Sequence, residues 1–283
     1  MNTPKITILI ANYNNGHFFT DCFNSLITQT EQNWEAIVID DCSTDNSIEI
    51  IKNLFKEDKR FRFYVNEKNI GYQKTLIRGI ELSNAAVFGR LDPDDALKPN
   101  AIEVSIKTHE ENPSAGLVYS NFIFCDKDLK ENKIFECTPI KNQDYNFLNF
   151  DATISHFATF KKKYYQLTTG IDPFIKRAED QDIYMKMCEV APVVHINEAL
   201  YLYRVHAGGV STNTNSEKAL FWHWVALIKM AERRGIEIED IFIKYFVSIN
   251  KYKHLQDKLN SLKNSRLLKI LYKLGIFKAY KYL

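Results

Sequence analysis

The run Ile6-Thr7-Ile8-Leu9-Ile10-Ala11 is almost entirely apolar and rich in β-branched residues. A strand of this composition is typical of a parallel sheet covered on both faces, because a strand with one face in water alternates apolar and polar residues. Further strand-like runs follow at residues 36–39, 61–65 and 87–88, with helical patterns between them. This alternation predicts βαβ units, and therefore an α/β fold with a doubly wound, mostly parallel sheet and helices on both faces.

After Pro99 the alternation becomes less regular, although strand-like and helical runs continue towards residue 215. From residue 217 onwards the pattern is helical throughout. At 283 residues the chain can bury a core of substantial size. We therefore expect a main domain over residues 1–215, with halves at 1–99 and 100–215, and a helical extension over 216–283.

The composition is that of a soluble globular protein, with 45% apolar and 25% charged residues. The five cysteines are scattered and show neither a CxxC pattern nor Cys/His metal spacing, so a reducing, cytoplasmic compartment is expected. The first residues lack the apolar core of a signal peptide, and no apolar stretch has the length of a membrane span. A secreted, disulfide-stabilised or membrane-spanning protein is therefore not expected.

The last part of the chain is strongly basic. Residues 251–283 contain nine Lys or Arg residues and one acid, Asp257, interspersed with Leu, Ile and Tyr. This mixture is typical of a helix on an anionic membrane surface, which makes such a surface a candidate partner. The alternative is a helix packed on the main domain with its lysines in water. Nucleic acid is not expected as a partner, because the remaining residues include more acids than bases.

The run Arg90-Leu91-Asp92-Pro93-Asp94-Asp95 places three carboxylates within four positions, directly after a strand-like run. Such close carboxylates repel one another, so their proximity stabilises nothing unless a cation lies between them. Oxygen ligands of this kind suit Mg²⁺ or Mn²⁺, and Mg²⁺ usually completes its coordination with substrate phosphates and water. The alternative interpretation is an acidic turn whose geometry is set by Pro93.

Two other strands end in residues suited to a nucleotide. Tyr13, between Asn12 and Asn14, could stack on a base, and Asp40-Asp41 could accept hydrogen bonds from a base or ribose. Ligands of open parallel sheets bind outside the carboxyl ends of the strands, so these residues and the acidic run are expected at one edge. Each is a weak signal alone, since Tyr13 could simply be a packing aromatic. Together they predict a site for a nucleoside diphosphate.

Two later clusters hold further candidates. Arg177-Ala178-Glu179-Asp180-Gln181-Asp182 precedes an amphipathic helix whose dipole favours acids at its start, and acidic N-capping is the alternative explanation. In Tyr203-Arg204-Val205-His206-Ala207-Gly208-Gly209, Arg204 and His206 stand beside a flexible glycine pair. These two residues are candidates for a lid over phosphates or for a metal site, although a lone histidine is more often structural.

Taken together, these segments resemble the family 2 glycosyltransferases, which have the GT-A fold. The resemblance extends from Ile6 to about Ser211. Its motifs are, in chain order, Asn12-Tyr13-Asn14, Asp40-Asp41-Cys42-Ser43-Thr44-Asp45, Asn69-Ile70-Gly71, the Asp-x-Asp run Asp92-Pro93-Asp94-Asp95, Glu179-Asp180, and Tyr203-Arg204-Val205-His206 followed by Ser211. Three positions depart from the family: Ala11 stands where Pro or Thr is usual, Cys42 where Gly is most frequent, and Arg78 where many members have Asn.

The resemblance implies an inverting, metal-dependent enzyme that transfers a sugar from a nucleotide-diphosphate sugar, with UDP the expected nucleotide, to a glycan or lipid-linked glycan. Residues 1–99 would be the nucleotide-binding half and residues 100–215 the acceptor-binding half. The implied nucleotide contacts are Ala11, Tyr13, Asp41, Asn69, Gly71, Lys74, Asp92 and Asp94. The implied ligands of Mn²⁺ or Mg²⁺ are Asp94, Asp95 and His206, and the implied diphosphate or lid contacts are Arg204 and Ser211.

The same resemblance implies Asp180 as the general base, with Glu179 beside it as a second catalytic residue. His156, in the irregular stretch after residue 121, is a candidate contact for the acceptor. A cytoplasmic enzyme with a membrane-seeking extension would work peripherally at the inner face of the cell membrane.

Three rival functions stay open from the sequence. A sugar nucleotidyltransferase would normally show a glycine-rich phosphate loop after the first strand, which Asn12-Tyr13-Asn14-Asn15-Gly16 lacks. A phosphoacceptor signalling domain also places paired acids at strand ends, but that class is much shorter. A catalytically inactive sugar-nucleotide binder is disfavoured because every motif keeps its acid.

Overall fold

The computed structural model describes residues 3–55, 58–140, 153–206, 216–244 and 248–282. Its strands are β1 (Ile6–Asn12), β2 (Trp34–Asp40), β3 (Phe61–Val65), β4 (Val87–Arg90), β5 (Ala96–Leu97), β6 (Leu117–Cys125), β7 (Glu131–Phe135), β8 (Ala158–Lys161) and β9 (Val193–Arg204). Its helices are α1 (Phe19–Ile27), α2 (Ser47–Leu54), α3 (Tyr72–Leu82), α4 (Ala101–Glu111), α5 (Lys162–Tyr165), α6 (Glu179–Val190), α7 (Ser216–Arg234), α8 (Glu239–Phe242), α9 (Ser248–Asn264) and α10 (Arg266–Lys273), with a 3-10 helix at Lys278–Tyr282.

The described strands form one nine-stranded sheet in the order β3-β2-β1-β4-β8-β6-β9-β5, with β7 also paired to β6. β1 is parallel to β2 and β4, and β2 is parallel to β3. β8 is antiparallel to both β4 and β6, so β6 and its parallel neighbour β9 run in the direction of β1. β5 and β7 run the opposite way. Most strands therefore share one direction, which confirms the prediction of a mostly parallel sheet.

The side chains of β1 alternate between two apolar cores, one on each face of the sheet. Ile6, Ile8 and Ile10 belong to the core that includes α1. Leu9 and Ala11 belong to the core that includes α3. Successive side chains of a strand point to opposite faces, and all seven residues of β1 are buried. Helices on both faces therefore explain why the run has almost no polar position.

The strand predicted at 61–65 is confirmed with the same bounds, and the helical patterns expected between the strands are confirmed by helices such as α3. The region after residue 120 is where the sequence pattern was uninformative. There β6 continues to Cys125, and β7 and β8 join the sheet as antiparallel strands. Short antiparallel strands carry too few residues for a clear period, which is why neither was predicted.

The chain divides into two compact units, Met1–Met230 and Ala231–Leu283. Trp224, Leu227 and Met230 of α7 are buried, so most of this helix belongs to the first unit. The predicted domains at 1–215 and 216–283, and the halves at 1–99 and 100–215, stay predictions about functional organisation. Among the helices that the structure describes, none combines the length and the apolar character needed to cross a bilayer.

Candidate active site

The carboxyl edge of the sheet gathers residues from separate parts of the chain. β1, β2 and β4 run in parallel, so Tyr13, Asp41 and Asp92 follow strands that end at the same edge. β9 shares this direction and brings His206 to the edge. β8 runs the opposite way, so the residues before its start lie there, including His156. The topology alone therefore explains why residues so distant in sequence meet.

A cavity of about 790 Å³ opens at this edge. Its volume lies in the range usual for ligand pockets. Every predicted site residue that the structure describes lines it: Ala11, Tyr13, Asp41, Asn69, Gly71, Lys74, Asp92, Asp94, Asp95, His156, Glu179, Asp180, Arg204 and His206. Ser211 lies outside the described residues. The structure thus brings the predicted residues together, while their individual roles stay predictions.

Asp41 closes the turn that forms one wall of the cavity. Its carboxylate accepts hydrogen bonds from the backbone N–H groups of Ile70 and Gly71, at 2.9 and 2.8 Å, and from Asn66 Nδ2 at 2.7 Å. The Arg78 guanidinium donates to Asn66 Oδ1 and so orients that amide. Gly71 has a φ of +91°, which L residues rarely adopt. Asp41 therefore shapes the nucleotide side of the cavity, and Arg78 supports it.

Tyr13 and Cys42 lie beside Asp41, just after the ends of β1 and β2. Tyr13 is 44% exposed at the cavity, so it is not a packing aromatic of the core. Cys42 has a φ of +63°, in the left-handed region. Glycine enters this region without a steric cost, which accounts for the glycine expected at this position from the resemblance. The departure at Cys42 thus leaves the turn intact.

Asp92 and Asp94 have different partners within the cavity. The Tyr72 hydroxyl donates to Asp92 Oδ1 at 2.6 Å, and Asp94 Oδ2 lies 2.9 Å from Nε2 of His206. Burial, together with the charge of Asp92, raises the pKa of Asp94 above its ordinary value. The two carboxylates form a centre of negative charge, which a cation would stabilise.

The structure does not support the prediction that Asp95 binds a metal. Asp95 is buried, its Oδ2 accepts a hydrogen bond from the Tyr201 hydroxyl at 2.7 Å, and its Oδ1 accepts one from the Arg204 backbone N–H at 2.7 Å. Both donors belong to β9. Burial and the neighbouring acids raise the pKa of Asp95 well above its ordinary value. Asp95 therefore joins the acidic run to β9, and its buried carboxylate accepts a hydrogen bond from β9 at each oxygen.

The predicted phosphate contact of Arg204 is also not supported. Its guanidinium donates from Nε to the Asp94 carbonyl at 2.5 Å, from Nη1 to the Lys127 carbonyl at 2.6 Å and from Nη2 to the Asp21 carboxylate at 2.7 Å. The side chain is almost fully buried. The bond to Asp94 holds the backbone of the acidic run, and the other two anchor the guanidinium to Lys127 and Asp21. Arg204 thus supports the site from behind and does not close over it.

Arg90 is a site residue that the sequence analysis missed. Its Nη1 lies 3.0 Å from Glu179 Oε1, and its Nη2 lies 3.5 Å from Asp92 Oδ2 and 3.9 Å from Asp180 Oδ2. One cation therefore connects the acidic run to the start of α6. The available signal was a charged residue at the end of an otherwise apolar strand, directly before the acids.

Glu179 and Asp180 occupy the first turn of α6, after Ala178 with its left-handed φ of +62°. An L residue in this region is strained, and such strain is frequent at functional sites. Burial, together with the charge of Asp180, raises the pKa of Glu179 to about 7, against the opposing effect of Arg90. Asp180 is less buried and faces the cavity. Of the pair, Asp180 is better placed to contact a ligand.

Asp94 and His206 fit a divalent cation that is shared with a substrate. In the part of the chain that the structure describes, no three His, Cys, Asp or Glu side chains are grouped to hold a metal by themselves. One carboxylate and one imidazole would therefore leave most of the coordination to phosphate and water. Mg²⁺ at phosphate-transfer sites is usually held in this way by one or two carboxylates, with water and substrate phosphates completing its coordination. The donor set thus agrees with the acidic run and His206 binding Mn²⁺ or Mg²⁺, without Asp95.

The lining of the cavity also includes residues that the sequence did not single out. Lys176 precedes α6, and Lys218 and Trp222 lie on α7. Among the described residues, neither lysine forms an ion pair with a carboxylate. No local pattern marks them, because a lysine before a helix and a tryptophan within one are ordinary features of a surface.

Comparison with known proteins indicates the family of this chain. The model of the family described as Glycosyl transferase family 2 matches residues 7–168. A chondroitin synthase of Escherichia coli is 29% identical over 208 residues, covering 74% of this chain and 30% of the synthase. The chain spans less than a third of the length of the curated relatives that it matches first.

Solved structures are similar in fold. The S. aureus TarS 1-349 structure in complex with UDP-GlcNAc matches with a TM-score of 0.62 and 17% identity, over 80% of this chain and 66% of that one. The mannosyltransferase PcManGT from Pyrobaculum calidifontis, in complex with GDP-Man and Mn²⁺, also has a TM-score of 0.62, with 15% identity over 81% of this chain and 65% of that one. At such identities the likeness concerns the fold, and it confirms the predicted GT-A architecture.

Proposed function

The chain belongs to glycosyl transferase family 2, and from this premise we propose that it is an inverting transferase acting on a nucleoside diphosphate sugar. It would move the sugar from the donor, with UDP as the nucleotide, to a hydroxyl group of a glycan or lipid-linked glycan. The family assignment favours this function over the sugar nucleotidyltransferase and the signalling domain. The names of the synthases that the chain resembles support a glycan as the acceptor.

One observation carries the proposal. A single cavity is lined by Tyr13, Asp41, Asp94 and Asp180, and the strand order β2-β1-β4 arranges the first three along the carboxyl edge of the sheet. This order matches the parts of a donor with an incoming acceptor: base, diphosphate and then the reacting sugar. Holding both substrates in one cavity turns a bimolecular encounter into an effectively intramolecular step.

The nucleotide end has the groups that a uridine needs. The exposed ring of Tyr13 can stack on the base, and Asp41, which accepts three hydrogen bonds from protein donors, keeps lone-pair capacity for a donor on the base. TarS, a structural neighbour, is bound to UDP-GlcNAc in its complex. UDP is therefore the nucleotide that we propose for this chain.

The diphosphate would lie between Asp94 and the two lysines that line the same cavity. Asp94 and His206 would hold Mn²⁺ or Mg²⁺, as the Mn²⁺ in the PcManGT complex supports. When bound, this cation would neutralise the charge that develops on the leaving diphosphate. Lys176 and Lys218 line the same cavity and would add positive charge there, in place of the buried Arg204.

Asp180 would act as the general base. Its carboxylate would accept the proton from the acceptor hydroxyl as that oxygen attacks the sugar on the face opposite the diphosphate. Direct displacement of this kind inverts the configuration at the anomeric carbon, as it does in inverting hydrolases. Arg90, 3.9 Å from Asp180 and 3.0 Å from Glu179, would orient the pair without removing a proton from either substrate.

The function can be tested by screening nucleotide sugars. We expect UDP-sugars with Mn²⁺ to raise the melting temperature, because a ligand at 100 times its Kd stabilises a protein by about 2.7 kcal/mol, roughly 5–10 °C for a domain of this size. Release of UDP should accompany this stabilisation. Stabilisation without UDP release or transfer to any glycan would indicate an inactive binder, and no effect of any nucleotide sugar would contradict the proposal.

We also propose that the second unit attaches the enzyme to an anionic membrane from the cytoplasmic side. Leu267 and Ile270 of α10, and Leu274 directly after it, follow the spacing of one helix face and are 65%, 54% and 66% exposed. Lys269 and Lys273 lie on the other side of the same helix. Exposed apolar residues beside lysines are typical of helices that lie in the interface of anionic bilayers.

Vesicle binding tests the membrane proposal. The full chain is expected to bind phosphatidylglycerol-containing vesicles more tightly than pure phosphatidylcholine vesicles in a sedimentation assay. Since one basic residue near such a surface is worth about 1 kcal/mol, Lys269→Gln should weaken binding roughly five-fold. Lys107→Gln, at an exposed lysine of α4, is the matched control. Equal loss in both variants, or no preference for the anionic vesicles, would contradict this attachment.

A further inference from the structure

Three aromatic side chains form a corner beside the cavity. The ring centroid of Trp222 lies 5.5 Å from that of Phe174 and 5.3 Å from that of Phe221, in edge-to-face arrangements of 75° and 81°. Phe174 and Phe221 are 63% and 60% exposed. Large rings exposed next to one another are costly in water, and such patches frequently mark binding surfaces. We call these three residues the aromatic corner.

The aromatic corner continues the cavity outward. Trp222 lines the cavity together with Asp180, whereas Phe174 and Phe221 lie beyond its lining residues. Lys218 also lines the cavity and precedes Trp222 by four residues, so both lie on one face of α7. A ligand that reached Asp180 past Trp222 would therefore extend over the two phenylalanines.

The aromatic corner is held in place by contacts of its own. Lys229 of α7 pairs with Asp172 at 2.6 Å, and its Nζ lies 5.3 Å above the Phe174 ring. Ile175, next to Phe174, is fully buried. These contacts tie the segment before α6 to α7. Rings fixed before binding lose little conformational entropy when a ligand arrives, which is the advantage of a preorganised site.

The chemistry around the aromatic corner favours a carbohydrate over a lipid. The cavity beside it is lined by the charged side chains of Asp180, Lys176 and Lys218. A lipid chain would remove these charged groups from water without giving them hydrogen bonds, which is costly. A sugar ring offers C–H faces that pack on aromatic rings and hydroxyl groups that hydrogen-bond to a carboxylate such as that of Asp180. Only a ligand with both kinds of surface matches this environment.

We propose that the aromatic corner is an acceptor site for at least two consecutive sugar residues of a glycan. Trp222 packs on the sugar whose hydroxyl faces Asp180, and Phe174 and Phe221 pack on the next sugar of the chain. The acceptor is therefore an oligosaccharide or a longer glycan, and a single sugar would fill only part of the site. This inference rests on the proposed function, since it assumes that Asp180 faces the acceptor.

The test compares glycan binding by wild-type protein and by the double variant Phe174→Ala/Phe221→Ala. An array of microbial glycans, from monosaccharides to hexasaccharides, serves as the probe, and the Kd of the best ligand is then measured with its shorter fragments. Because one aromatic contact contributes about two- to ten-fold in affinity, we expect the double variant to bind oligosaccharides about ten-fold or more weakly. Its affinity for the monosaccharide fragment should change little.

Two further variants separate ring packing from other effects. Phe174→Leu/Phe221→Leu keeps apolar surface and should lose most of the same affinity if the aromatic faces matter. Tyr252→Ala removes an aromatic residue, 64% exposed, from the second unit and should leave glycan binding unchanged. UDP affinity with Mn²⁺, measured by calorimetry on each protein, reports on the donor site separately. Absent UDP binding with normal glycan binding would contradict the proposed function and not this inference.

Several results would overturn the inference. They are the absence of wild-type binding to any glycan on the array, equal loss of monosaccharide and oligosaccharide affinity, and unchanged glycan affinity in the double variant. If the double variant instead lost binding to vesicles, the aromatic corner would be a lipid-binding surface. If the wild-type protein formed a concentration-dependent dimer and the double variant did not, the aromatic corner would be an interface between two copies of the chain.

Discussion

Asp180→Asn is expected to lower the turnover number for sugar transfer by at least ~10²-fold, because a general base usually contributes ~10²–10⁴-fold. The asparagine keeps the size of the side chain but cannot take the proton from the acceptor hydroxyl. Donor affinity should change little, since the proposed base contacts, Tyr13 and Asp41, follow β1 and β2, whereas Asp180 lies at the start of α6. Transfer to the best acceptor, followed by UDP release, gives the turnover number, and calorimetry gives the donor affinity.

Asp128→Asn is the matched control for this variant. Asp128 pairs with Lys127 at the exposed surface, so the same chemical change there should leave turnover unaltered. An Asp180→Asn protein that retained more than roughly a tenth of the wild-type turnover would exclude Asp180 as the base. Glu179, with its pKa of about 7, would then be the remaining carboxylate of the pair to test.

Asp94→Ala is expected to remove most of the Mn²⁺-dependent affinity for UDP. Loss of a residue that merely supports a metal ligand costs about 10–100-fold in metal affinity or activity. Loss of a direct ligand should therefore weaken the Mn²⁺-dependent component by ~100-fold or more. Calorimetric titration of UDP with Mn²⁺, and with a chelator in place of Mn²⁺, separates this component from the contacts of Tyr13 and Asp41.

Asp95→Asn provides the contrast, because it changes the adjacent carboxylate. One of the two buried hydrogen bonds from β9 would lose its acceptor, which costs about 1–3 kcal/mol of unfolding free energy. We expect a lower melting temperature with the Mn²⁺ dependence of UDP binding preserved. The opposite pattern, with Asp95→Asn abolishing the Mn²⁺ effect and Asp94→Ala retaining it, would reverse the two assignments.

The fold was largely predictable because its first half follows simple periodicity. The apolar strand at Ile6 needs cover on both faces, and the helices that follow need an apolar surface to pack on. A parallel sheet with helices on both faces meets both needs. The carboxyl-edge rule then places Tyr13, Asp41 and the acidic run together without any knowledge of tertiary contacts. β8 escaped prediction because its antiparallel entry depends on pairing with β4, which no local pattern encodes.

The two site predictions that the geometry argues against, those for Asp95 and Arg204, have a common cause. Sequence shows that Asp92, Asp94 and Asp95 are adjacent, but it does not show which of them faces inward. β9 determines which carboxylate is buried, because its Tyr201 hydroxyl and Arg204 backbone N–H donate hydrogen bonds to Asp95. Arg204 was assigned to phosphate for the same reason, since its three acceptors come from distant segments.

Arg90 shows the complementary problem. Its identity and place were visible in the sequence, but its partners Glu179 and Asp180 are far away along the chain. A buried arginine becomes recognisable as a site residue only when several carboxylates surround it. The aromatic corner is likewise assembled from α7 and the segment before α6, and neither part has a distinctive pattern alone.

The most direct test of the account is the position of Mn²⁺ and UDP in a crystal of the protein grown with both. The account predicts an anomalous manganese signal within about 2.0–2.6 Å of an Asp94 oxygen and of phosphate oxygens, with the uracil against Tyr13 and Asp41. A manganese ion bound to Asp95, or a UDP molecule bound outside the cavity that Asp180 lines, would contradict it.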